Sequence, residues 1–490
     1  MAVDRATLFI GGDWVLPSTS SRITVLNATT EETLGTVPQA DVADVDRAVA
    51  AARHAVDNSA WSTTSPADRA AALHRFADEL QKRSGELART VSQENGMPIG
   101  LSEAFEGGFA IGLVRYYADM AATMSVEETR PSQTGRHTTV RRSPVGVVAA
   151  IVPWNYPVVL AMSKIAPALA AGCSVVVKPS PPATVLDWYI VAEAVAAAGL
   201  PPGVVNWVPG GPDIGAQLVS HPGVDKVAFT GSTAAGRSIA TACAGLLRPV
   251  TLELGGKSAA ILLDDVDMHT IMPDLQFITF MNNGQTCVTC SRILAPAGRY
   301  DEIVDSLATR ITSLRVGDPL DPGTEIGPMA TEAHRERVMR YIEKGKGEAR
   351  LVVGGGRPRG LDKGWFIEPT LFADMTNDAT IAQEEIFGPV LSVIPYDDEA
   401  DAVRIANDSA YGLGGTVFSA DTERATDVAR NIHTGTIGIN GYPVAIGSPF
   451  GGVKDSGLGR EFGPEALGSY LNLKSMYVAG QTSDSPEKDK

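Results

Sequence analysis

A cysteine, Cys287, lies at the point where a helical pattern gives way to a polar loop. Apolar residues recur at helical spacing at Ile271, Leu275 and Ile278, and residues 292–297 have the pattern of a short strand. The loop between helix and strand is a common place for a reactive group on a rigid support. A thiol is a strong nucleophile only as the thiolate, which a partly exposed polar loop permits. A buried structural cysteine is the commoner case for such a residue taken alone.

A glutamate, Glu253, interrupts an apolar strand pattern just before two glycines. Its neighbours are Leu252 and Leu254, and Gly255 and Gly256 follow as a candidate hinge. Leucine neighbours desolvate a carboxylate, which raises its pKa and suits a general base. The alternative is a glutamate at a strand end that faces water, which is the more usual arrangement.

Two other polar residues follow strand patterns. Asn155 lies between Trp154 and Tyr156, where its amide could donate a hydrogen bond to an oxyanion, or simply form a turn. Lys178 follows the apolar run 174–177, where its side chain could meet a ribose or a phosphate. A solvated lysine before a proline turn is about as probable for that position on its own.

A glycine turn with hydroxyl residues precedes a helical pattern that begins near Ala234. Gly231 and Ser232 belong to this turn, and such an arrangement offers the N-terminus of a helix to a phosphate group. The segment 210–215 is similar, but we interpret it chiefly as a strand-to-helix turn with Pro212 early in the helix. Two further glycine-rich loops carry an aromatic residue, at 384–389 and 448–461, and could equally be long surface loops.

Composition excludes several classes of protein. The chain has 490 residues, enough for two or three domains, and 44% of them are hydrophobic and 20% charged. A net charge of -16 without a long basic run argues against nucleic acid and anionic membranes as partners. Residues 143–163 carry no charge, but Pro153 and Pro157 near the middle argue against a membrane span. The charged N-terminus has no signal-peptide pattern, and four cysteines in so long a chain favour a reducing, cytoplasmic setting without a zinc site.

Strand and helix patterns alternate along most of the chain, which is typical of doubly wound parallel sheets. Such sheets bind ligands at the carboxyl ends of their strands. The early region predicts a strand–turn–strand at 8–15, helices at 41–57, 65–94 and 107–124, and an exposed ribbon at 136–142. The next predicts strands at 147–152, 174–177, 204–208, 227–230 and 250–254, with helices at 162–171, 184–198, 213–220 and 234–244. The last predicts strands at 258–263, 292–297, 350–354, 391–395, 415–419 and 436–440, with helices at 300–314, 331–347, 399–407 and 422–432.

Seven short motifs occur in the order found in the aldehyde dehydrogenase superfamily. They are Pro-Trp-Asn at 153–155, Lys-Pro-Ser at 178–180, Phe-Thr-Gly-Ser-Thr at 229–233, Leu-Glu-Leu-Gly-Gly-Lys at 252–257, Gly-Gln-Thr-Cys at 284–287, Glu-Glu-Ile-Phe-Gly-Pro at 384–389 and Pro-Phe-Gly-Gly-Val-Lys-Asp-Ser-Gly at 449–457. The chain closely resembles that family from about residue 8 to about residue 478.

The resemblance implies an α/β fold of two doubly wound Rossmann-like domains with a small β ribbon for oligomerisation. It implies a dinucleotide-binding domain at 1–122 and 144–255 and a catalytic domain at 256–460. The oligomerisation element would comprise 123–143 and 461–480, followed by a flexible tail at 481–490.

The resemblance also implies a role for each matching residue. Cys287 would be the nucleophile and Glu253 the base that activates water for deacylation, while Asn155 and the Cys287 N–H would hold the oxyanion. Glu461 matches a position that relays protons, here with Lys178. The residues expected to bind the cofactor are Ile151, Pro153, Trp154, Lys178, Ser180, Gly211, Gly231, Ser232, Leu254, Glu385 and Phe387. Those expected to line the substrate tunnel are Tyr156, Ser163, Thr286, Val288 and Phe450.

The implied reaction is the oxidation of an aldehyde to a carboxylic acid through a cysteine thioester, with NAD as cofactor and NADP as a possible substitute. Some family members have a glutamate where this chain has Pro181, so the preference between the two cofactors stays open. The small Ser163 favours a roomy, uncharged tunnel over one for a semialdehyde acid, and leaves aromatic, terpenoid and medium-chain aliphatic aldehydes as alternatives. Glu253 argues against release of the thioester to CoA, and the retained Cys287, Glu253 and Asn155 argue against a silent structural protein. A homodimer or homotetramer is expected, with no metal.

Overall fold

The computed structural model describes residues 3–133 and 135–479. Its strands are β1 Val3–Asp4, β2 Leu8–Ile10, β3 Asp13–Val15, β4 Arg22–Leu26, β5 Thr33–Pro38, β6 Glu127–Pro131, β7 His137–Pro144, β8 Val147–Ile151, β9 Ser174–Lys178, β10 Val205–Trp207, β11 Lys226–Thr230, β12 Val250–Glu253, β13 Ala259–Leu262, β14 Arg292–Pro296, β15 Arg350–Val353, β16 Thr370–Ala373, β17 Val390–Tyr396, β18 Gly415–Phe418, β19 Gly438–Ile439, β20 Gly457–Leu458 and β21 Leu471–Val478.

The α-helices alternate with these strands over most of the chain. They are α1 Val42–Asp57, α2 Pro66–Lys82, α3 Ser84–Asn95, α4 Ile99–Ser102, α5 Ala110–Thr123, α6 Pro157–Ala171, α7 Asp187–Ala197, α8 Pro212–Ser220, α9 Thr233–Gly245, α10 Met268–Phe280, α11 Tyr300–Thr312, α12 Glu332–Glu348, α13 Thr380–Gln383, α14 Glu399–Asn407, α15 Thr422–Ala429 and α16 Gly463–Gly468.

The first large sheet has eight strands in the order β20-β12-β11-β8-β9-β10-β2-β3, and the run from β12 to β10 is parallel. Side chains alternate along β8, so Val148 and Ala150 enter one hydrophobic core while Val147 and Ala149 enter another. Contacts with α6 and with α1 cover the strands. The sheet is therefore doubly wound, as the alternating pattern predicts.

The second large sheet has seven strands in the order β15-β16-β17-β14-β13-β18-β19. All its pairs are parallel except the pair of β15 and β16. Short β20 pairs with β12, so the chain returns to the first sheet after it has completed the second. This return brings the loop before residue 461 to the strand end that carries Glu253.

Two three-stranded sheets complete the fold. One has the order β21-β7-β6 and is antiparallel, and it corresponds to the predicted ribbon. The other has the order β1-β5-β4. Ser143 to Ser163 contribute the end of β7, all of β8, a loop and the first turns of α6. No helix among the described residues is long and apolar enough to cross a membrane.

Some predicted elements differ from the structure. The single helix predicted at 65–94 is two helices, α2 and α3, that meet at Arg83. The helix predicted at 107–124 begins at Ala110, after a π-helical turn at Glu103–Phe109. Strands β4, β5 and β16 were not predicted. The buried Ile23 and Val25 of β4 alternate with exposed residues, a pattern that could have revealed this strand. The four residues of β16 pair with β15 and β17.

Candidate active site

A cavity of about 190 Å3 lies where the carboxyl ends of β8, β11 and β12 meet the loop before β14. This is the edge at which parallel sheets bind their ligands. The residues that line it are Pro153, Trp154, Asn155, Thr230, Gly231, Ser232, Leu254, Gly255, Cys287, His334, Arg337, Glu385 and Phe387. The fold thus brings most of the residues predicted for catalysis and cofactor binding to one place.

The loop that carries Cys287 begins with a left-handed run of backbone. Asn282 and Asn283 have φ values of 50° and 61°, and Gly284 has 76°. Asparagine and glycine are the residues that adopt this region most readily. At Gly284 a Cβ atom would lie 2.2 Å from the Gly388 carbonyl oxygen, so close approach also requires glycine there. The sequence Asn-Asn-Gly is a signal for this turn that the sequence analysis did not use.

Side-chain amides hold the loop in place. Asn283 Nδ2 donates to the carbonyl oxygens of Gly96 and Pro328 at 2.8 and 3.0 Å, and its Oδ1 accepts from Gly327 N at 2.7 Å. Gln285 Oε1 accepts from Ala330 N at 2.9 Å. The loop is therefore bonded to two other segments of the chain before it reaches the cysteine.

Asn155 is fixed against the same loop. Its Nδ2 donates to the Gln285 carbonyl oxygen at 2.9 Å, and the side chain is 3% exposed. Its own carbonyl oxygen accepts from Asn282 Nδ2 at 2.9 Å and from Asn95 Nδ2 at 3.1 Å. A fixed amide beside the cysteine can stabilise a developing oxyanion. The sequence analysis did not identify Asn95 or Asn282 as supports for Asn155.

Tyr156 and Thr286 form a chain of hydroxyl groups beside Cys287. Thr286 Oγ1 donates to the Met281 carbonyl oxygen at 2.9 Å, so the Tyr156 hydroxyl at 3.0 Å donates to Thr286. The two predicted substrate residues are therefore in contact. The Tyr156 ring also packs edge-on against Phe105, with 5.7 Å between ring centroids.

The Cys287 thiol is half-buried, and its pKa is raised. Burial is the largest cause, followed by the nearby carboxylates of Glu385 and Glu253. The partial exposure of the thiol thus matches the prediction. Its raised pKa does not, because the protein alone does not favour the thiolate. A base or an added positive charge is needed to ionise this thiol.

Glu253 ends β12 and is 3% exposed. Neither carboxylate oxygen accepts a hydrogen bond from any protein group among the described residues. A Cβ atom at Gly451, where φ is 147°, would lie 2.5 Å from Oε1, so glycine there leaves room for the carboxylate. Burial and then the charge of Glu461 raise the pKa of Glu253, which is the direction predicted from its leucine neighbours.

The partner of Glu461 is Lys164, not Lys178 as the sequence analysis expected. Lys164 Nζ lies 2.6 Å from Glu461 Oε1 and also donates to Thr230 Oγ1 at 2.7 Å. Both members of the pair are buried, and Thr230 lines the cavity. Lys164 projects from α6 towards the end of β11, a position that sequence order does not reveal.

Ser163, predicted to line the substrate tunnel, is fully buried and is not among the residues that line the cavity at Cys287. Its hydroxyl contacts Glu461 Oε2 at 2.7 Å and the Leu160 carbonyl oxygen at 2.8 Å. A role for Ser163 in the tunnel stays a prediction.

Three aromatic rings form one wall of the cavity. Trp154 lies edge-on to Phe387 at 5.5 Å and to His334 at 5.0 Å between ring centroids. His334 Nε2 lies 2.7 Å from the Phe387 carbonyl oxygen, to which it donates, and Phe387 has a φ of 67°. Burial lowers the pKa of His334 to about 4, so the ring is neutral. The sequence analysis missed His334 because it lies on α12 without a recognisable motif.

Glu385 lies across the cavity from these rings, against two positions that have no room for a side chain. Its Oε1 accepts from Gly256 N at 3.0 Å. A Cβ at Gly255 would lie 2.5 Å from Glu385 Oε2, and one at Gly256 would lie 2.4 Å from the Cys287 carbonyl oxygen. Close approach explains why both positions are glycine. Arg337, which was also not predicted, donates to the Glu385 carbonyl oxygen at 2.6 Å.

Four predicted cofactor residues lie outside the lining of this cavity: Ile151, Lys178, Ser180 and Gly211. Lys178 ends β9 beside α8, where burial lowers its pKa to about 8 and Asp213 opposes that shift. Ser180 donates to the Val152 carbonyl oxygen at 2.8 Å. Gly211 precedes α8 and Ile151 ends β8, both on the carboxyl edge of the sheet.

Val288 and Phe450, which were predicted to line the tunnel, are both buried. Phe450 packs on Phe462 at 5.4 Å between centroids and lines a second cavity of about 480 Å3. An open groove of about 490 Å3 lies between α4 and α10, and one of its lining residues, Phe105, packs against Tyr156. Its residues are Pro98, Gly100, Leu101, Ala104, Phe105, Gln276, Phe277, Phe280, Met281, Asn282 and Glu325.

The cavity suits the nicotinamide end of a dinucleotide. Aromatic rings form one wall and the Glu385 carboxylate the other, and the backbone at Gly231 and Gly255 packs so closely on Phe229 and Glu385 that a Cβ atom would lie 2.5 Å from each. Ser232 caps α9, accepting from Ala235 N at 3.3 Å, so the N-terminus of this helix opens on the cavity. A doubly wound sheet with this cleft and a cysteine in it defines a dinucleotide-dependent oxidoreductase with a thiol nucleophile.

The comparisons identify the family. The aldehyde dehydrogenase family model matches residues 14–476, and the chain belongs to that family. It is similar to the geranial dehydrogenase of Castellaniella defragrans, with 59% identity over 98% of this chain and 100% of that protein. It is also 42% identical to a putative aldehyde dehydrogenase, DhaS, of Bacillus subtilis over 96% of this chain and 95% of that one.

Solved structures of aldehyde dehydrogenases are also similar to this chain. The crystal structure of an aldehyde dehydrogenase of Mycobacterium tuberculosis complexed with NAD+ is 48% identical, with a TM-score of 0.96 over 99% of this chain and 100% of that one. Aldehyde dehydrogenase C of Pseudomonas syringae, in a mutant complexed with NAD+ and octanal, is 40% identical with a TM-score of 0.92 over 96% of each chain. The protein is thus an NAD(P)-dependent aldehyde dehydrogenase that oxidises an aldehyde to the carboxylic acid.

Proposed function

We propose that the Cys287 thiolate attacks the aldehyde carbon and that Glu253 serves the hydrolysis of the thioester that follows. The observation that carries the proposal is a half-buried thiol that lines the cavity and, close to it, a buried carboxylate that no described protein group binds. The carboxylate is near enough to raise the pKa of the thiol. Since its own pKa is raised as well, the ionised Glu253 is a stronger base than an ordinary carboxylate.

The charge that develops on the carbonyl oxygen is held, in this proposal, by Asn155 Nδ2 and the Cys287 N–H. The bond from Asn155 to the Gln285 carbonyl oxygen uses one of the two amide protons and orients the other. A donor that is already oriented needs no reorganisation during the reaction, which is why such groups lower the barrier.

The dinucleotide would be held along the carboxyl edge of the first sheet. Trp154, Leu254 and Phe387 would contact the nicotinamide end and Glu385 its ribose, while Ser232 and Gly231 would face the pyrophosphate. Ile151, Pro153, Lys178, Ser180 and Gly211 would bind the remainder, since they follow neighbouring strands of the same sheet. When bound, the oxidised cofactor accepts the hydride from the substrate carbon and adds positive charge to the cleft.

We propose that the proton taken up by Glu253 passes to Glu461. The two carboxylates interact, as the pKa of Glu253 responds to Glu461 and to Lys164. Lys164 donates hydrogen bonds to both Glu461 and Thr230, and Thr230 lines the cavity. Glu461, which would receive the proton, is thus connected through Lys164 to a residue of the cavity. The change from Lys178 to Lys164 leaves the role of Glu461 in place and replaces its partner.

Rapid mixing of Glu253→Gln with aldehyde and NAD tests the base. Glutamine keeps the size of the side chain but cannot take a proton, and a positioned base contributes about 10²–10⁴-fold to a rate. We expect one burst of reduced cofactor per active site, then turnover slower by about that factor. Loss of the burst would assign Glu253 to thiol activation instead, and turnover at the wild-type rate would exclude it from the mechanism.

We infer that the aldehyde is apolar and that a branched, unsaturated terpenoid such as geranial is a substrate. The geranial dehydrogenase at 59% identity supports this, because sequence similarity of that degree extends over the whole chain. The groove beside Tyr156 supports it too, since its lining is mostly apolar. Its one carboxylate, Glu325, forms an ion pair with Arg310 and so is not free to bind a cationic aldehyde.

Relatives named for an aminoaldehyde or for betaine aldehyde are less similar to this chain. The aminoaldehyde dehydrogenase 2 of Pisum sativum is 41% identical, and the betaine aldehyde dehydrogenase of Beta vulgaris is 39% identical. A panel of geranial, octanal, benzaldehyde and betaine aldehyde, each with NAD and NADP, would measure kcat/KM by absorbance of the reduced cofactor. We expect geranial to lead, and a lead for betaine aldehyde would refute the assignment.

We also propose a division of labour among the domains. Residues 1–122 and 144–255 would bind the cofactor, 256–460 would carry the nucleophile, and 123–143 with 461–480 would join subunits. Exposed Leu473 and Tyr477 on β21, at 68% and 82% exposure, support an assembly surface on the ribbon. The position at 480 and the tail at 481–490 lie outside the described residues.

A homodimer or homotetramer with a cytoplasmic location completes the proposal. All four cysteines are free, which fits a reducing compartment. Sedimentation velocity of the wild-type chain and of a Leu473→Asp, Tyr477→Asp double variant would test the surface. A smaller species for the variant supports it, and equal sizes would refute it.

A further inference from the structure

The hydroxyl of Ser163 lies between two acceptors in the core of the protein. Oγ is 2.7 Å from Glu461 Oε2 and 2.8 Å from the Leu160 carbonyl oxygen, and the side chain is fully buried. A hydroxyl carries one proton and two lone pairs, so it donates to one neighbour at a time and can accept from another. The other carboxylate oxygen of Glu461 is bound by Lys164 Nζ at 2.6 Å.

We propose that Ser163 is a positioning residue of the deacylation step, acting through Glu461. The inference rests on the proposed transfer of a proton from Glu253 to Glu461. When Glu461 is ionised, the Ser163 hydroxyl donates to Oε2. When Glu461 has received the proton on Oε2, that O–H donates to Ser163 Oγ, and the serine proton turns to the Leu160 carbonyl oxygen. Ser163 gains and loses no proton, since its hydroxyl only rotates between two acceptors.

This arrangement keeps Glu461 hydrogen-bonded in both of its charge states. Without the hydroxyl, Oε2 of the ionised form would lose a donor in a buried site, and the carboxylate would be fixed only through its other oxygen by Lys164. The groups that interact electrostatically with Glu461 from the surrounding elements are Lys164, Glu253, Lys226, Tyr117 and Tyr470. Lys226 donates to Thr251 Oγ1 at 2.8 Å rather than to Glu461, so it does not replace Ser163 as a donor.

The test compares Ser163→Ala with the wild type in two measurements. One is the amplitude of the first burst of reduced cofactor, and the other is the steady-state rate against pH. We expect the burst to be unchanged and deacylation at neutral pH to slow about 10- to 150-fold, from the loss of one hydrogen bond to a charged group. The pH profile of the variant should then differ from that of the wild type, whereas a purely structural loss lowers the rate equally at every pH.

Two further variants make the result specific. Ser163→Thr keeps a hydroxyl and should restore most of the rate and the wild-type pH profile. Ser174→Ala removes an equally buried serine hydroxyl, which donates to the Ala52 carbonyl oxygen at 2.8 Å, and should leave both measurements unchanged. Melting temperatures of all three report whether a variant is only less stable.

Glu461→Gln separates failure of this inference from failure of the proposed function. If Glu461→Gln slows deacylation while Ser163→Ala leaves rate and pH profile at wild-type values, the role of Ser163 is refuted and that of Glu461 stands. If Glu461→Gln is itself as fast as the wild type, the proton path is wrong and the inference falls with it. An equal loss of burst and steady-state rate in Ser163→Ala would show a general packing role and also overturn the proposal.

Discussion

The loop before Cys287 and the strand end at Glu253 lie close to each other, yet the protein holds them in opposite ways. Asn283 alone makes three hydrogen bonds to the backbone of two distant segments. The carboxylate of Glu253 receives none from the described protein, although it is just as well buried. Both arrangements carry a free-energy cost, since left-handed backbone and an unpaired buried carboxylate are each unfavourable.

The difference follows from what each group does. A nucleophile has to point at a carbon atom, so its loop is held in one conformation by bonds from several directions. A base has to change its charge, and strong bonds to one protonation state would oppose that change. Fixed hydrogen bonds are found instead at Glu461, the neighbouring carboxylate, to which Lys164 and Ser163 are both bound.

The largest effect expected is at the cysteines. Cys287→Ala removes the nucleophile and should lower kcat/KM by at least about a thousandfold. Cys290→Ala is the matched control, because Cys290 is fully buried, three residues along the same loop, and does not line the cavity. It should retain most of the activity. The reverse pattern, measured by absorbance of reduced cofactor, would contradict the assignment of the nucleophile.

The next effect concerns Asn283, whose hydrogen bonds fix the loop before Cys287, in contrast to the unbound carboxylate of Glu253. Asn283→Gly keeps the left-handed backbone and loses only the side-chain bonds, whereas Asn283→Ala loses both. We expect the glycine variant to lower the free energy of unfolding by about 1–3 kcal/mol, and the alanine variant by about 1 kcal/mol more. Urea unfolding measures both values. Equal stability of the two variants would mean that the left-handed conformation costs nothing here.

A change at Pro181 should leave both regions untouched. Pro181 is half-buried and does not line the cavity. A carboxylate there would repel a 2'-phosphate, which is worth roughly 1–3 kcal/mol, or about ten- to a hundredfold in selectivity. Pro181→Glu should therefore strengthen the preference for NAD over NADP without altering kcat for NAD. If the wild-type enzyme already rejects NADP by many thousandfold, another feature sets the preference.

The smallest effect concerns the coupling between the two regions. The Glu253 carboxylate raises the pKa of the Cys287 thiol, so Glu253→Gln should lower that pKa and speed alkylation by iodoacetamide. Because the pKa of Glu253 is itself raised, wild-type Glu253 carries its charge mainly at higher pH. The ratio of variant to wild-type rate should then rise with pH, to about a fewfold.

Glu461→Gln is a second test of the same link, since Glu461 acts on Glu253 and is not itself among the groups that raise the pKa of Cys287. Without the charge of Glu461 the pKa of Glu253 falls, so Glu253 is ionised at lower pH and alkylation there should be slower than in the wild type, not faster. A constant ratio of one for Glu253→Gln would show that the thiol and the carboxylate do not influence each other, and would remove the electrostatic link between the two regions.

Much of the fold could be predicted because periodicity is a local property of the chain. The five parallel strands from β8 to β12 lie where the apolar runs predict them. Strand β16 was missed, because its four residues are a strand chiefly through pairing with β15 and β17. The two residues of β20 have no strand pattern of their own either, and their pairing with β12 closes the site.

What the sequence determined by itself about the site is the set of residues at strand ends, because a doubly wound sheet brings consecutive carboxyl ends to one edge. Trp154, Asn155, Ser232 and Cys287 could be placed together on that basis, with the family resemblance. The tertiary structure alone decided which side chains meet across the sheet. Lys164 and Glu461 are 297 residues apart in sequence, and the turn of α6 directs Lys164, not Lys178, towards that carboxylate. Local sequence specifies the direction of a strand or helix, but a contact between two elements depends on how both pack, which no single stretch of sequence contains.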